Sequence, residues 1–381
     1  MAPSDEPPLR VAVDAQPLLL ERTGVGQFTA SVLAGLGARD DVDASGYVIS
    51  RTGRRALEPI LPSGVRAATS VFPARVAHAL WARGAWPPLE QWTGPVDVVH
   101  ATNYVALPSR APVVVSVYDL GFVHSPELYR PETRAYEPLV RDAIARRAFV
   151  HTISDFVTAE VREHFGVAAD RVARVYPGVT DTRLGAPAAG HTLAGGASYV
   201  LALGTVEPRK DLPTLVHAFD RLAATDAGVL LVVAGPDGWG VGQYEDAVAH
   251  ARFGARVRRL GYVSDAQRAD LLAGATVLAY PSRYEGFGLP PLEAMAAGVP
   301  VVTTRGGALP EAVGDAALLV DPGDTDGLAD ALARAVGDEG LRRTLASRGR
   351  ARAATFPWSR TVGDLVDLYR RVASSGEHRA R

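Results

Sequence analysis

Short apolar runs rich in valine and leucine recur along the whole chain, and few of them alternate with polar residues. The N-terminal half carries "LRVAVDA" (9–15), "GYVIS" (46–50), "DVVH" (97–100), "PVVVSVY" (112–118), "AFVHTIS" (148–154) and "VARVYPG" (172–178). The C-terminal half carries "YVLALG" (199–204), "VLLVVAG" (229–235), "RVRRLGYV" (256–263), "ATVLAYPS" (275–282), "VPVVTT" (299–304) and "AALLVDP" (316–322). Strands buried on both faces read this way. Amphipathic stretches such as "DLPTLVHAFDRLAATD" and "AQRADLLAGA" lie between them. Strand-helix repetition of this kind builds parallel sheets with helices on both faces. No repeat of solenoid length is present. One segment breaks the rhythm: "TDTRLGAPAAGHTLAGGAS" (180–198) is small, contains Gly and Pro, and lacks either periodicity. It reads as an interdomain linker. The expected fold class is α/β, with two Rossmann-like doubly wound domains facing across a cleft, 1–185 and 196–356. A final amphipathic helix follows at 358–375. In such sheets ligands bind at the carboxyl ends of the strands, so the site belongs in the cleft.

Composition narrows the chemistry. The 381 residues contain no cysteine, so disulfides, thiolate metal sites and cysteine nucleophiles are excluded. The net charge of −2 gives no global drive toward nucleic acid. The opening "MAPSDEPP" is polar and proline-rich, unlike a signal peptide. No apolar run reaches membrane-spanning length. The expected location is cytoplasmic.

The strongest motif is "YEGFGLPPLEAMAAGVPVV" (284–302). A buried strand ends, a glycine-rich turn follows, and Pro290 or Pro291 suits the first turn of a helix. Gly298 is a plausible C-cap. The free N–H groups of a helix start bind anions, and Gly286 and Gly288 let backbone approach a phosphate closely. The turn alone is equally compatible with a tight connection that binds nothing. Glu285 and Glu293, eight residues apart, add two carboxylates able to accept from paired sugar hydroxyls. An acid on each side of a phosphate-binding turn suits a nucleotide sugar.

A second constellation is "GTVEPRKDL" (204–212). Lys210 is the only lysine; the remaining 39 of the 40 basic residues are arginines. Arg209 and Lys210 sit in a turn after a buried strand, where fixed cations could stabilise a leaving diphosphate. Arginine forks two phosphate oxygens, whereas lysine supplies a compact charge. This role requires the two turns to converge.

The spacing from Arg209-Lys210 to "EGFGLPPLEAMAAGVPV", with its Glu-x7-Glu pair, resembles the retaining GT-B glycosyltransferases of the glycosyltransferase group 1 family. The resemblance is specific in 199–320 and weaker in the N-terminal half. It implies a C-terminal domain that binds the nucleotide sugar and a last helix that crosses back onto the N-terminal domain. It implies that Arg209 and Lys210 neutralise the diphosphate and that Glu285 holds donor-sugar hydroxyls. Gly286, Phe287, Gly288 and Leu289 would present backbone amides, and Glu293 would bind ribose. Gly204 and Thr205 would border the donor, and Tyr262 and Val263 in "GYVSD" would hold the base. The "GTxEPRK" form points to bacterial mannosyltransferases and a GDP-mannose donor. The family mechanism is same-face attack, the leaving phosphate taking the acceptor's proton.

The N-terminal half offers weaker candidates. "ERTGVGQFTASVLAGL" (21–36) places Gly24 and Gly26 in a turn before a helix, near diphosphate and acceptor in the resembled family. "SVYDLGFVHSPELY" (116–129) carries Tyr118-Asp119 where many relatives have His-Asp. Asp119 is a candidate for acceptor or donor sugar, and Tyr118 reads equally as a packing residue. His100 and His124 are candidate acceptor-side residues, each with a structural role as the alternative. The stretch 74–92 holds Trp81, Trp86 and Trp92 with Arg75 and Arg83; it reads as a core helix, as a peripheral contact with the inner membrane face, or as a grip on a sugar acceptor.

These features together point to a hexosyltransferase that uses a nucleotide-sugar donor and a glycan or lipid-linked acceptor, with no nucleic-acid partner. No cofactor is expected. No Asp-x-Asp occurs in a cleft-like context, although "DTD" lies at 324–326; the cationic pair would do the work of a metal, so no divalent ion is expected. The alternatives are a nucleotide-sugar-binding partner subunit without turnover and a GT-B epimerase. A dinucleotide oxidoreductase would need a third glycine that "GVGQFT" lacks.

Overall fold

The computed structural model describes residues 7–19, 24–50, 53–69, 76, 81, 86–179 and 185–375. Thirteen strands form two sheets among them. The first comprises β1 (Leu9–Asp14), β2 (Val42–Val48), β3 (Val65–Thr69), β4 (Val98–Ala101), β5 (Val113–Val117), β6 (Phe149–Thr152) and β7 (Val172–Arg174), in the order 3-2-1-4-5-6-7. The second comprises β8 (Tyr199–Leu203), β9 (Leu230–Ala234), β10 (Val257–Gly261), β11 (Val277–Tyr280), β12 (Val301–Thr304) and β13 (Leu318–Val320), in the order 10-9-8-11-12-13. Every pairing between these strands is parallel. The strand order reverses between β1 and β4 in one sheet and between β8 and β11 in the other. Those two positions open a crevice at the carboxyl ends of the strands.

The valine-rich runs are buried as their composition demands: every residue of β4, β5, β8, β11 and β12 is buried. The helices that shape the cleft or join the domains are α1 (Gly24–Gly37), α2 (Gly121–His124), α3 (Asp155–Phe165), α4 (Pro187–Ala194), α5 (Leu212–Thr225), α6 (Asp265–Gly274), α7 (Leu289–Ala296), α8 (Leu309–Val313) and α9 (Trp358–Ser374).

The segment expected to be an unstructured linker differs. Residues 180–184 lie outside the described residues, but Pro187–Ala194 form α4, which packs on α6. A Cβ on Gly185 or Gly190 would lie 2.1 Å from a backbone oxygen of α6. The small residues that look like linker composition instead permit close backbone contact.

Helix α9 packs on α1, β4 and β5, burying Val362, Leu365, Val366, Leu368, Tyr369 and Val372. The Tyr369 hydroxyl lies 2.6 Å from His100 Nδ1. The Thr361 hydroxyl donates to the Tyr176 carbonyl at 2.8 Å. The last helix therefore returns from the second domain to complete the first.

Candidate active site

Strands β8 and β11 are neighbours, so the turns that leave their carboxyl ends are neighbours too. This brings Arg209 and Lys210 onto Glu285. Lys210 Nζ donates to Glu285 Oε1 at 2.6 Å. Arg209 Nη1 lies 2.6 Å from Glu285 Oε2. Arg209 also pairs with Glu207 at 2.6 Å and donates to the Tyr284 carbonyl at 3.1 Å. The Tyr280 hydroxyl donates to Glu285 Oε1 at 3.0 Å and accepts from Lys210. Gly204 opens the turn that carries Lys210 at φ 133°, a backbone conformation that side chains rarely adopt. Thr205 follows in the same turn, half-buried.

The cluster is nearly dry, with Glu285 8% exposed. Burial alone would raise the Glu285 carboxyl, but Arg209 and Lys210 overcome it and hold it at about 2. Burial and the Arg209 charge lower the Lys210 pKa against the pull of Glu285 and Glu207. Two cations are thus fixed around one carboxylate that remains ionised at neutral pH. Both Glu285 oxygens are engaged by these cations, so in this arrangement the carboxylate orients them.

The turn leads into α7 with Gly288 as N-cap at φ 117° and prolines in the first helical turn. The helix starts at Leu289 and closes at Gly298, φ 76°, where Val299 N–H donates back to Ala294 at 2.8 Å. Pro290 and Pro291 carry no N–H and the Leu292 N–H donates to the Gly288 carbonyl at 3.5 Å, so Leu289 supplies the one free N–H of this first turn. Gly286 touches the other domain: a Cβ there would lie 1.8 Å from the Tyr118 carbonyl oxygen and 3.1 Å from Asp119 Cβ. The carboxyl end of β5 therefore meets the turn after β11. Phe287 is buried, stacking on Tyr176 at 5.5 Å and edge-on to Phe356 at 5.4 Å. Its ring packs between domains, which leaves only its backbone for a ligand.

Glu293 is 3% exposed. Burial raises its pKa, opposed by Arg268 of α6, which is hydrogen-bonded to it, and by a hydrogen bond from Gln27 of α1. Glu293 thus meets the first turn of α1. Gly24 and Gly26 lie inside that first turn rather than in a loop before it: Gly24 is exposed and Gly26 buried. Tyr262, 70% exposed, follows β10 at the sheet edge, and Val263 packs on the core.

On the N-terminal side, Asp119 Oδ1 accepts from the Gly121 N–H at 3.1 Å. Burial raises its pKa while the Arg209 charge lowers it. Tyr118 is a packing residue, buried, with its hydroxyl donated to the Thr102 carbonyl at 2.6 Å. His100 does not line the cleft. It is fully buried between Tyr369 and the Ser116 hydroxyl, 2.8 Å away, and burial pushes its pKa well down. A neutral histidine with both nitrogens bonded in the core is structural. His124, at the end of α2, lies 3.6 Å from Glu160.

Most of the 74–92 stretch, including Arg75 and Arg83, lies outside the described residues. Trp81 and Trp92 meet edge-on at 6.0 Å, and Trp86 is 58% exposed. Among the described residues no helix is long and apolar enough to cross a membrane, and no group of three metal-ligating side chains converges.

Four groups were not singled out in the sequence: Asp14, Glu160, Tyr280 and Tyr284. Asp14 ends β1 at the first strand-order reversal, and burial raises its pKa to about 6. An acid ending a buried first strand is a readable signal. The other three sit within ordinary strand, turn and helix patterns.

Two family models match the chain: "Glycosyl transferases group 1" over residues 189–352 and "Glycosyltransferase Family 4" over 22–183. The chain is 31% identical over 283 residues to an O-antigen chain mannosyltransferase B of Escherichia coli, covering 72% of this chain and 74% of that protein. It is 33% identical over 312 residues to a D-inositol 3-phosphate glycosyltransferase of Saccharomonospora viridis, covering 77% and 69%. In structure it is similar to a sucrose-phosphate synthase from Thermosynechococcus elongatus, with a TM-score of 0.73 at 21% identity, over 96% and 99% of the two chains. It is also similar to Anabaena HepE in complex with UDP and glucose, with a TM-score of 0.74 at 19% identity, over 94% and 98%. These two neighbours establish a GT-B fold.

Proposed function

This chain belongs to the glycosyltransferase group 1 family, and from that premise we propose that it transfers mannose, with retention, from GDP-mannose to a hydroxyl of a glycan or lipid-linked acceptor. The observation that carries the reading is the buried Arg209, Lys210 and Glu285 cluster set against the start of α7. A diphosphate in that corner meets two fixed cations and the N-terminal end of a helix. Charge grows on the leaving oxygens as the sugar bond breaks, and cations already in place stabilise it without reorganising. The pair does the work of a divalent ion, so the reaction needs none. Glu293 accepts from the ribose hydroxyls, and Tyr262 faces the base. Asp119 receives the sugar or the acceptor from the other domain. The mannose assignment rests on the O-antigen chain mannosyltransferase among the relatives named above. We place the reaction in the cytoplasm.

Thermal stabilisation by GDP, UDP, ADP and dTDP and their sugars, with and without magnesium, tests the donor side, because a ligand of the folded state raises apparent stability. GDP and GDP-mannose are expected to stabilise equally in either condition, and transfer from GDP-mannose is expected to give an α-linked product. Stabilisation by UDP alone would reassign the donor, and none by any nucleotide would sink the donor-site reading.

Gly286→Ala supplies a second check. Its methyl would collide with the Tyr118 carbonyl and push the donor turn off the N-terminal domain. Misplacement of about 1 Å costs on the order of 10²-fold in rate. We expect kcat to fall by that order in steady-state kinetics, while GDP still stabilises the variant.

A further inference from the structure

The turn that carries Glu285 is held from the N-terminal domain through the tyrosine that opens it. Tyr284 precedes Glu285. Its hydroxyl donates to Glu160 Oε2 of α3 and accepts from the Leu120 N–H at 3.3 Å. Its ring meets Phe156 of the same helix at 5.7 Å. Its carbonyl accepts from Arg209 at 3.1 Å. Close by, Glu311 of α8 accepts from the N–H groups of Asp155 and Phe156 at 2.7 and 3.0 Å, an anion at the N-terminus of α3. The second domain therefore grips α3 at its start and at its second turn. The second grip runs, through one residue, to the cationic pair.

We propose that Glu160 is a positioning residue for sugar transfer: through the Tyr284 hydroxyl it fixes the turn bearing Glu285, and so sets where Arg209 and Lys210 stand when the domains are closed. The inference rests on the transferase reading above. Glu160 makes no contact with the cationic pair itself, so it acts on the geometry of the closed state. The donor site, built within the second domain, keeps its affinity without it.

The surroundings of Glu160 give this contact a pH signature. Its side chain is 15% exposed. Tyr284 faces it from the second domain, His124 from α2 at 3.6 Å, Asp119 from the end of β5 and Glu163 from its own helix. His164 of α3 meets His124 edge-on at 6.1 Å and lies 3.4 Å from Glu137. Burial, with Asp119 and Glu163, raises the Glu160 pKa to about 7 against the hydrogen bond from Tyr284. An ionised carboxylate holds the tyrosine hydroxyl more strongly than a neutral one. Positioning therefore strengthens as pH rises through about 7.

The test compares wild type with Glu160→Gln, Glu160→Ala, Tyr284→Phe and the Glu160→Ala/Tyr284→Phe double variant. It measures kcat and donor KM from pH 5.5 to 8.5, GDP stabilisation, and urea midpoints. Glu160→Ala and Tyr284→Phe should each lower kcat about tenfold at pH 8, with GDP affinity within about twofold of wild type, and the double variant should be no worse than either. Glu160→Gln should give a flat kcat profile at the level of the wild-type acid plateau. Additive losses in the double variant, in kcat and in urea midpoint alike, would overturn the proposal. So would a limb near pH 7 that persists in Glu160→Gln. Absence of transfer and of nucleotide binding in the wild type would instead sink the transferase reading, and this inference with it.

Discussion

Lys210→Ala is expected to lower kcat/KM for sugar transfer about 10³-fold, of the order seen when one preorganised electrostatic donor is removed from an active site. The loss should fall mainly on kcat, because charge on the leaving diphosphate develops on the way to the transition state. Lys210→Arg should not restore the rate. The ammonium sits between the Tyr280 hydroxyl and Glu285 Oε1, its side chain only 12% exposed. A planar guanidinium is broader and directs its donors along a fork. Arg209 already occupies the other carboxylate oxygen and Glu207. Removing Lys210 also leaves Glu285 with less compensation in a dry site, so its pKa should rise from about 2 toward the ordinary range. Steady-state kinetics on both variants, with circular dichroism to establish folding, checks the expectation. A loss below tenfold in Lys210→Ala would assign the diphosphate to Arg209 alone and make the only lysine a packing residue.

The fold was legible because central parallel strands, buried on both faces, must be apolar throughout; the runs of the edge strands β7, β10 and β13 stood out as well, although none of their residues is buried. The strand that did not stand out, Val65–Thr69, also lies at a sheet edge and reads V-R-A-A-T, with an exposed arginine and small side chains. Nothing in that composition demands burial. Helix α4 was hidden because Gly190 within it and Gly185 before it serve close packing on α6, and such composition is also that of a linker. The meeting of Arg209, Lys210 and Glu285 was legible only as a condition: each follows a strand, but it is the pairing of β8 with β11 that delivers the two turns to one place. His100 misled by the same rule. It stands within β4, but its ring enters the core under α9, and an element 269 residues away supplies its partner. Glu160 and Tyr284 were invisible for that reason too: only the facing of the two domains makes them a pair.

Glu285→Ala is expected to be the most damaging single substitution, in stability as well as turnover. Breaking a buried ion pair from one side costs about 3–5 kcal/mol, because the remaining charge is left in a dry site. Here two cations would be left facing each other. The pH dependence carries the sign. The Glu285 pKa is held at about 2, below the ordinary glutamate value of 4.5. The folded state therefore binds this proton less readily than the unfolded chain does. The stabilisation is fully present above the ordinary value and is lost as pH falls from there toward about 2. A shift of that size corresponds to about 3 kcal/mol. Urea unfolding of wild type and Glu285→Gln at pH 7, 5 and 3 isolates it: the amide keeps the shape and removes the titration. The stability gap between them should be largest at pH 7, nearly unchanged at pH 5, and narrower by about 2 kcal/mol at pH 3. A gap that is constant across the three would mean that Glu285 is not ionised against Arg209 and Lys210 in the folded protein. With that charge gone, so would be the reason for the two cations to remain fixed in a buried corner before the donor arrives.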